Sequence, residues 1–215
     1  RYAVRIADFT RAERIADMAA QALDLIADVT APPVVAGFSM GGCVALEMLA
    51  TRPDRIGGLL LLDTVGHGES DGLRAMRQSL VQRAATDFPA ICEEFAAGSV
   101  APVHAGDAAL RAELLAMFHA VGADAFIRQS QAVMQRRDHL PTLRALAPEW
   151  RNRIAIACGE HDGTCPVSWS KRMAEALSGK PVDVIPDAGH MTPFEAPQRV
   201  ADLLEGLVAG VPGAA

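Results

Sequence analysis

One short stretch, VVAGFSMGGCVALEML over residues 34–49, constrains the fold of this chain more than any other. β-Branched residues at its start favour a strand, and the alanine-rich apolar residues at its end favour a helix. Ser39 lies at the junction, between Gly37 and Gly41. A serine on so sharp a strand-to-helix turn has a strained backbone, and its neighbours two residues away must be small. The stretch therefore predicts an exposed Ser39 hydroxyl at the start of a helix, beside the Met40 N–H.

Segments with strand character alternate with helical segments on both sides of this turn. A capping-box pattern at Thr10 and Glu13 predicts the start of the first helix. Parallel strands need a crossover between them, which is usually a helix. The alternation therefore predicts an α/β fold, with a mostly parallel sheet and helices on both of its faces. The predicted strands are residues 2–7, 34–38, 56–62, 154–158 and 182–185.

A long segment without strand character interrupts the alternation between Gly66 and Trp150. Its apolar residues recur at helical spacing. We expect an all-helical insertion, a cap, over residues 66–150, and a core formed by residues 1–65 and 151–215. The predicted helices of the cap are residues 73–85, 88–96, 108–121 and 123–136.

The composition restricts the classes of partner. A net charge of -6 and a pI near 5.5 provide no basic surface for the phosphates of nucleic acid, so we expect none as a partner. No apolar stretch reaches the roughly 20 residues that span a bilayer, so no membrane span is expected. The four cysteines form no CxxC pair, which indicates reduced thiols and a cytoplasmic location. The sequence does not determine an oligomeric state.

Polar residues follow several of the predicted strands at the point where each strand ends. Ser39, Asp63, Asp162 and His190 occupy such positions, and sites in parallel sheets form outside the carboxyl ends of the strands. A serine needs a base within hydrogen-bond reach, and the base needs an acid. We interpret Ser39 as a nucleophile, His190 as its base and Asp162 as the acid. Asp63 is the alternative acid.

A metal site is the competing interpretation of the same loops. His161, Asp162, Asp187 and His190 all carry groups that can bind a metal. Their spacing, however, offers no pair of ligands four residues apart on a helix. We therefore predict no metal ion and no cofactor.

Three motifs occur in this order along the chain: GFSMGG from Gly37, GEHDGTCP from Gly159 and DAGHMTPFEAP from Asp187. With the helical insertion, they resemble the α/β-hydrolase family in its small esterase-like branch with a helical cap, which includes carboxylesterases and pimeloyl-ester esterases. The likeness covers the whole chain. It implies a Ser39, Asp162 and His190 triad, with the Met40 N–H in the oxyanion hole.

The resemblance also implies a strand that this sequence lacks. A typical member has a further strand before the one at residues 2–7, and the loop after that strand supplies the second oxyanion donor. In the family's strand order, it lies between the predicted strands 2–7 and 34–38, in the centre of the sheet. An open slot there leaves backbone groups unpaired. We therefore expect the sequence to be the C-terminal part of a longer natural protein.

The function implied by the resemblance is that of a serine hydrolase acting on small molecules. Its expected substrates are carboxylic esters, thioesters or lactones of small apolar acids. The same triad also serves carbon–carbon bond hydrolysis, enol-lactone opening and acyl transfer, and the sequence does not rank these. A non-catalytic binding protein on the hydrolase fold is the alternative if the natural chain is this short.

Overall fold

Parallel strands form the sheet in this computed structural model, which describes residues 2–211. Each strand pairs with the next one along the chain, and every pair is parallel. The carboxyl ends of the strands therefore lie along one edge. The strands are β1 (Val34–Phe38), β2 (Gly58–Leu62), β3 (Ile154–Gly159) and β4 (Asp183–Ile185).

Helices connect the strands and make up most of the remaining chain. Two short 3₁₀ turns, Pro53–Arg55 and Pro102–His104, accompany them. The helices are α1 (Ile15–Leu25), α2 (Met40–Thr51), α3 (Asp71–Ala84), α4 (Phe88–Gly98), α5 (Ala108–Val121), α6 (Ala123–Met134), α7 (Leu140–Ala145), α8 (Trp150–Arg153), α9 (Val167–Ala176), α10 (Thr192–Glu195) and α11 (Pro197–Gly210).

The leucines of β2 belong to two separate apolar cores. The strand is buried along its whole length, and successive side chains of a strand point to opposite faces of the sheet. Leu59 and Leu61 pack with α1, α2 and α9 on one face. Leu60 and Leu62 pack with α11 on the other face. Helices thus cover both faces of a parallel sheet, which confirms the predicted α/β fold.

Helices α3 to α7 form a helical segment, residues 71–145, between β2 and β3. Its first helix begins slightly before the predicted start, because Ser70 Oγ accepts a hydrogen bond from the Leu73 N–H and caps the helix. Within the segment, α3 packs against α4 and α6, and α4 packs against α5. The division of the chain into a core and a cap stays a prediction.

The predicted strand at residues 2–7 is wrong. These residues form no strand, and the side chains of Val4 and Ile6 are 79% and 87% exposed. Strand propensity reflects packing against neighbouring strands and a buried face, and this segment has neither. Among the described residues, β1 has β2 as its one neighbour in the sheet.

The predicted capping box at Thr10 and Glu13 is also wrong. Helix α1 begins at Ile15, with Arg14 as its N-cap and no side-chain cap. The Thr10 N–H instead donates to the Asp8 carboxylate at 2.9 Å. Such local bonds of aspartate favour a turn over a helix.

None of the helices in the described part of the chain is both long and apolar enough to cross a membrane. The thiols of Cys43, Cys92, Cys158 and Cys165 are buried and free. This agrees with the reduced cysteines expected from the sequence.

Candidate active site

The turn between β1 and α2 holds Ser39 in a strained conformation. Its φ and ψ are 51° and -119°, in a region that a residue with a side chain rarely occupies. Two contacts fix the turn: the Ser39 N–H donates to Leu62 O at 3.0 Å, and Thr64 Oγ1 donates to Ser39 O at 2.6 Å. The end of β2 therefore supports the turn that presents the serine.

The glycines around Ser39 have unequal roles. A Cβ on Gly37 would lie 2.5 Å from the carbonyl oxygen of Gly41, and one on Gly42 would overlap the Thr64 side chain. A Cβ on Gly41, by contrast, would meet nothing within 4 Å. The sequence interpretation that Gly41 must be small is wrong on this point, because the close approach involves its backbone and not the position of its side chain.

A chain of hydrogen bonds joins the three residues interpreted as a triad. His190 Nε2 lies 2.9 Å from Ser39 Oγ, and His190 Nδ1 lies 2.9 Å from Asp162 Oδ2. A carboxylate can only accept, so Nδ1 carries the proton and the Nε2 lone pair faces the serine hydroxyl. Both His190 and Asp162 are buried. The arrangement suits transfer of the hydroxyl proton to Nε2.

The second oxygen of the Asp162 carboxylate, Oδ1, accepts two backbone hydrogen bonds. Oδ1 accepts the N–H of Thr164 at 2.8 Å and the N–H of Cys165 at 2.7 Å. These bonds arise because the loop after β3 turns back on itself just before α9. They leave Oδ2 to accept a hydrogen bond from His190.

Asp63, the alternative acid, contacts other groups. Its Oδ1 accepts the Gly159 N–H at 2.8 Å, and its Oδ2 accepts the hydroxyl of Thr192. Asp63 is fully buried, and this burial raises the pKa of its carboxyl group to about 7. It joins the end of β3 to α10, and His190 Nδ1–H donates to Asp162 instead.

The start of α2 provides the electropositive end of a helix beside the serine. Met40 is the first residue of this helix, so its N–H has no helical carbonyl to which it can donate. The partial positive charge at a helix N-terminus favours an anion there. The Met40 N–H is therefore free of helical partners beside Ser39, and its role in an oxyanion hole stays a prediction.

Some supporting side chains were not foreseen from the sequence. Thr64 holds the carbonyl of Ser39, and Thr192 bonds to Asp63. Glu195 accepts backbone N–H groups on either side of His190. The signal for Glu195 was its place in the motif DAGHMTPFEAP, and the signal for Thr64 was its place directly after a buried strand.

One group of metal-ligating side chains occurs in residues 2–211, formed by Asp162, Cys165 and His190 with ligand atoms within 4.8 Å of one another. Two properties make it a poor metal site. The Asp162 oxygens already accept hydrogen bonds. Burial also raises the pKa of the Cys165 thiol well above its usual range, whereas a metal ligand must be a thiolate. His161 and Asp187, named in the competing interpretation, do not join the group.

A model of the alpha/beta hydrolase family matches residues 5–203. This chain is an α/β hydrolase. The match spans the four strands, α2 and the helical segment, so the fold and the family agree over almost the whole described hydrolase.

Solved structures of the same fold include esterases. An esterase from Thermogutta terrifontis superposes with a TM-score of 0.81 at 25% identity, covering 91% of this hydrolase and 72% of that chain. An esterase from Exiguobacterium antarcticum has a TM-score of 0.75 at 20% identity, with 93% and 74% covered. The enol-lactonase from Burkholderia xenovorans LB400 has a TM-score of 0.70 at 17% identity, with 92% and 72% covered. A search of curated protein sequences gives no match for the hydrolase.

Proposed function

We propose that this α/β hydrolase cleaves carboxylic esters of small apolar acids through an acyl-enzyme, with Ser39 as the nucleophile. One observation carries the proposal: Ser39 Oγ, His190 and the Asp162 carboxylate form a continuous chain of hydrogen bonds, each 2.9 Å long. The likeness to the Thermogutta terrifontis esterase supports the ester as substrate. Thioesters and lactones react by the same steps and belong to the proposal.

The proposed reaction begins with proton transfer from Ser39 Oγ to His190 Nε2. The oxygen attacks the carbonyl carbon, and the Met40 N–H donates to the resulting oxyanion. The Asp162 carboxylate stays ionised and stabilises the imidazolium. As the tetrahedral intermediate collapses, Nε2 returns the proton to the leaving alcohol, and the acyl group remains on Ser39.

Water completes the turnover. His190 Nε2 takes a proton from the water, whose oxygen attacks the acyl carbon. Collapse of the second intermediate breaks the bond to Ser39 Oγ, which recovers the proton from Nε2. The acid leaves, and the hydrogen-bond chain forms again. No cofactor enters these steps.

We also propose that residues 66–150 act as a cap that supplies the acyl pocket. Ala96 of α4 and Leu114 of α5 pack in one apolar cluster with Met191, next to His190, and Phe38 and Phe118 border it. The partly buried rings of Phe38 and Phe118 at the edge of this cluster, the first centred 5.4 Å from the His190 ring, favour an apolar acyl group over a charged one. Four buried free thiols support the further proposal of a cytoplasmic location.

A fluorophosphonate probe tests the nucleophile directly. The probe reacts with an activated serine, and peptide mapping should place the label on Ser39. Ser39→Ala should remove both the labelling and the turnover of p-nitrophenyl butyrate. Ser79→Ala is the matched control, because Ser79 is exposed on α3. A wild-type protein that is folded but takes no label at Ser39 would mean that the serine is not a nucleophile and would favour a binding protein.

Comparison of substrates separates the remaining alternatives. We expect kcat/KM for p-nitrophenyl acetate or butyrate to exceed kcat/KM for any substrate that is cleaved at a carbon–carbon bond. Product analysis in the presence of an added alcohol distinguishes hydrolysis from acyl transfer. A dominant transfer product, or cleavage of a carbon–carbon bond in preference to an ester, would replace the ester assignment while keeping the same triad.

A further inference from the structure

Glu195 connects the loop that carries His190, residues 186–191 between β4 and α10 and here called the histidine loop, to the helical segment. It lies at the end of α10, a few residues after His190. Its Oε1 accepts the N–H of Gly189 at 2.9 Å and the N–H of Met191 at 3.0 Å. Its Oε2 accepts the N–H of Ala101 at 2.6 Å, from a position 94 residues away in the sequence. One carboxylate thus holds the residues before and after His190 and a residue of the segment between β2 and β3.

The carbonyl oxygen of Ser99, in the helical segment, also bonds to the histidine loop. Ser99 O accepts the N–H of His190 at 2.7 Å and the N–H of Met191 at 3.2 Å. Ser99 and Ala101 are both buried. A Cβ on Gly189 would lie 2.6 Å from the backbone of Val100, so the two chains are in direct contact. The backbone of His190 is therefore bonded to residues 99–101 through its own N–H and through both neighbours.

A cap for α10 does not explain all of these contacts. The bond from the Met191 N–H to Glu195 satisfies the N-cap of that short helix. The bond to Ala101 serves no helix of the histidine loop, because Ala101 precedes the 3₁₀ turn Pro102–His104. Hydrogen bonds to a carboxylate are stronger than those between neutral groups. Glu195 therefore fixes the distance between two parts of the chain.

We propose that Glu195 is a positioning residue for His190. Together with the carbonyl of Ser99, it locks the histidine loop onto residues 99–101, so the docking of the helical segment sets the position of the imidazole. The inference rests on the proposed function, in which Nε2 must reach Ser39 Oγ and Nδ1 must reach Asp162 Oδ2. A shift of the His190 backbone moves both nitrogen atoms away from their partners.

Glu195→Gln tests the proposal with little change in volume. An amide has one acceptor oxygen and a donor group, so it cannot accept from Ala101 and from the histidine loop together. We expect kcat for p-nitrophenyl butyrate to fall by about ten- to a hundredfold, because a displacement of about 1 Å has effects of this size. KM should stay within about twofold, since Glu195 touches no substrate. Glu195→Asp keeps the charge with a shorter reach and should recover part of the loss.

Proton NMR provides a readout that does not need activity. The Nδ1–H of His190, bonded to a buried carboxylate, should give a low-field signal in the wild type that weakens or shifts in Glu195→Gln. Glu205→Gln is the matched control, because Glu205 is exposed on the adjacent helix α11; its kcat and NMR signal should equal those of the wild type. All readouts are taken below the unfolding temperature of each variant, and Glu195→Asp replaces the glutamine variant if the latter does not fold.

The outcomes separate this inference from the proposed function. If the wild type is labelled at Ser39, and Glu195→Gln has a lower kcat and an altered NMR signal, the proposed function and the positioning role of Glu195 are both supported. If the wild type is labelled but the variant loses only thermal stability, with kcat and the NMR signal unchanged, Glu195 is not a positioning residue. If the wild type takes no label but its NMR signal still depends on Glu195, the proposed function fails and the positioning of His190 stands.

Discussion

His190 Nε2 lies 2.9 Å from Ser39 Oγ, although 151 residues separate the two in the sequence. Ser39 directly follows β1, whereas His190 follows β4, and β2 and β3 lie between those strands. Neighbouring strands are about 4.8 Å apart, so the histidine loop crosses the ends of two strands to reach the serine. The contact therefore depends on what holds that loop in place.

Asp162→Asn should lower kcat by about 10⁴-fold through the wrong tautomer of His190. The asparagine oxygen would keep the N–H bonds of Thr164 and Cys165, so its amide donor would face Nδ1. The proton of His190 would move to Nε2, which could then not accept the proton of Ser39. The measurement is the rate of p-nitrophenyl butyrate hydrolysis.

Asp63→Asn is the matched comparison for the acid. Asp63 bonds to Gly159 and Thr192 and not to His190, so we expect a loss of less than about tenfold in kcat. A larger loss for Asp63→Asn than for Asp162→Asn would make Asp63 the acid.

Asp63 should make stability fall as the pH rises. Burial raises the pKa of its carboxyl group to about 7 in the folded protein, compared with about 4 in an unfolded chain. Between these values the folded state binds more protons, so the contribution of Asp63 to the free energy of unfolding is largest at low pH and is lost between about pH 4 and pH 7. Urea denaturation of the wild type and Asp63→Asn measures it. A difference between the two that is constant over this range would contradict the prediction.

Gly37→Ala and Gly41→Ala should differ strongly in stability. The Cβ at position 37 would meet the Gly41 carbonyl at 2.5 Å, and we expect a loss of about 2 kcal/mol or more in the free energy of unfolding. The Cβ at position 41 has open space, and alanine favours a helix over glycine by about 1 kcal/mol. Urea denaturation of both variants is the measurement, and equal losses would refute this assignment of roles.

Thr64→Val should weaken the turn that holds Ser39. Valine has the shape of threonine but lacks the hydroxyl that donates to Ser39 O at 2.6 Å. Loss of this bond should lower the free energy of unfolding by about 1 kcal/mol. It should also lower kcat, because the strained φ of Ser39 loses a support. Thr64→Ser keeps the hydroxyl and should retain both stability and kcat; a serine variant as impaired as the valine variant would assign the effect to packing.

The parallel sheet could be predicted because its strands carry strong local signals. The run of leucines in β2 indicates a strand that is buried on both faces, and each face indeed has its own core. The partnership of Ser39 and His190 was predictable for a related reason. Both residues follow strands that end at the same edge, and a nucleophile needs a base within reach.

The sequence favoured Asp162 over Asp63 as the acid, but it did not show which carboxylate bonds to His190. Both follow strands that are neighbours in the sheet, and the strand before Asp162, β3, also pairs with β4, the strand before His190. The loop after β3 brings the Asp162 carboxylate to the imidazole: the His161 N–H donates to Ala188 O at 2.8 Å and joins this loop to the one that carries His190. Long-range contacts of this kind leave no periodic pattern in a sequence.

The errors near the start of the chain have a similar origin. Residues 2–7 alternate like a strand, but a strand exists only with a neighbour to bond. Thr10 and Glu13 match a capping box, but the Thr10 N–H donates to the Asp8 carboxylate instead of to the Glu13 side chain. Local propensity describes what a segment can form, and the surroundings decide whether it does.

The contact between the histidine loop and residues 99–101 also sets a rule for protein engineering. Transplanting a different set of helices between β2 and β3 is a route to new substrates, because side chains of α4 and α5 pack with Met191, next to His190. A transplanted segment must still present a carbonyl where Ser99 has one and an N–H where Ala101 has one. Libraries that randomise α5 and α6 while retaining residues 99–101 should therefore yield more active clones than libraries that exchange the whole segment.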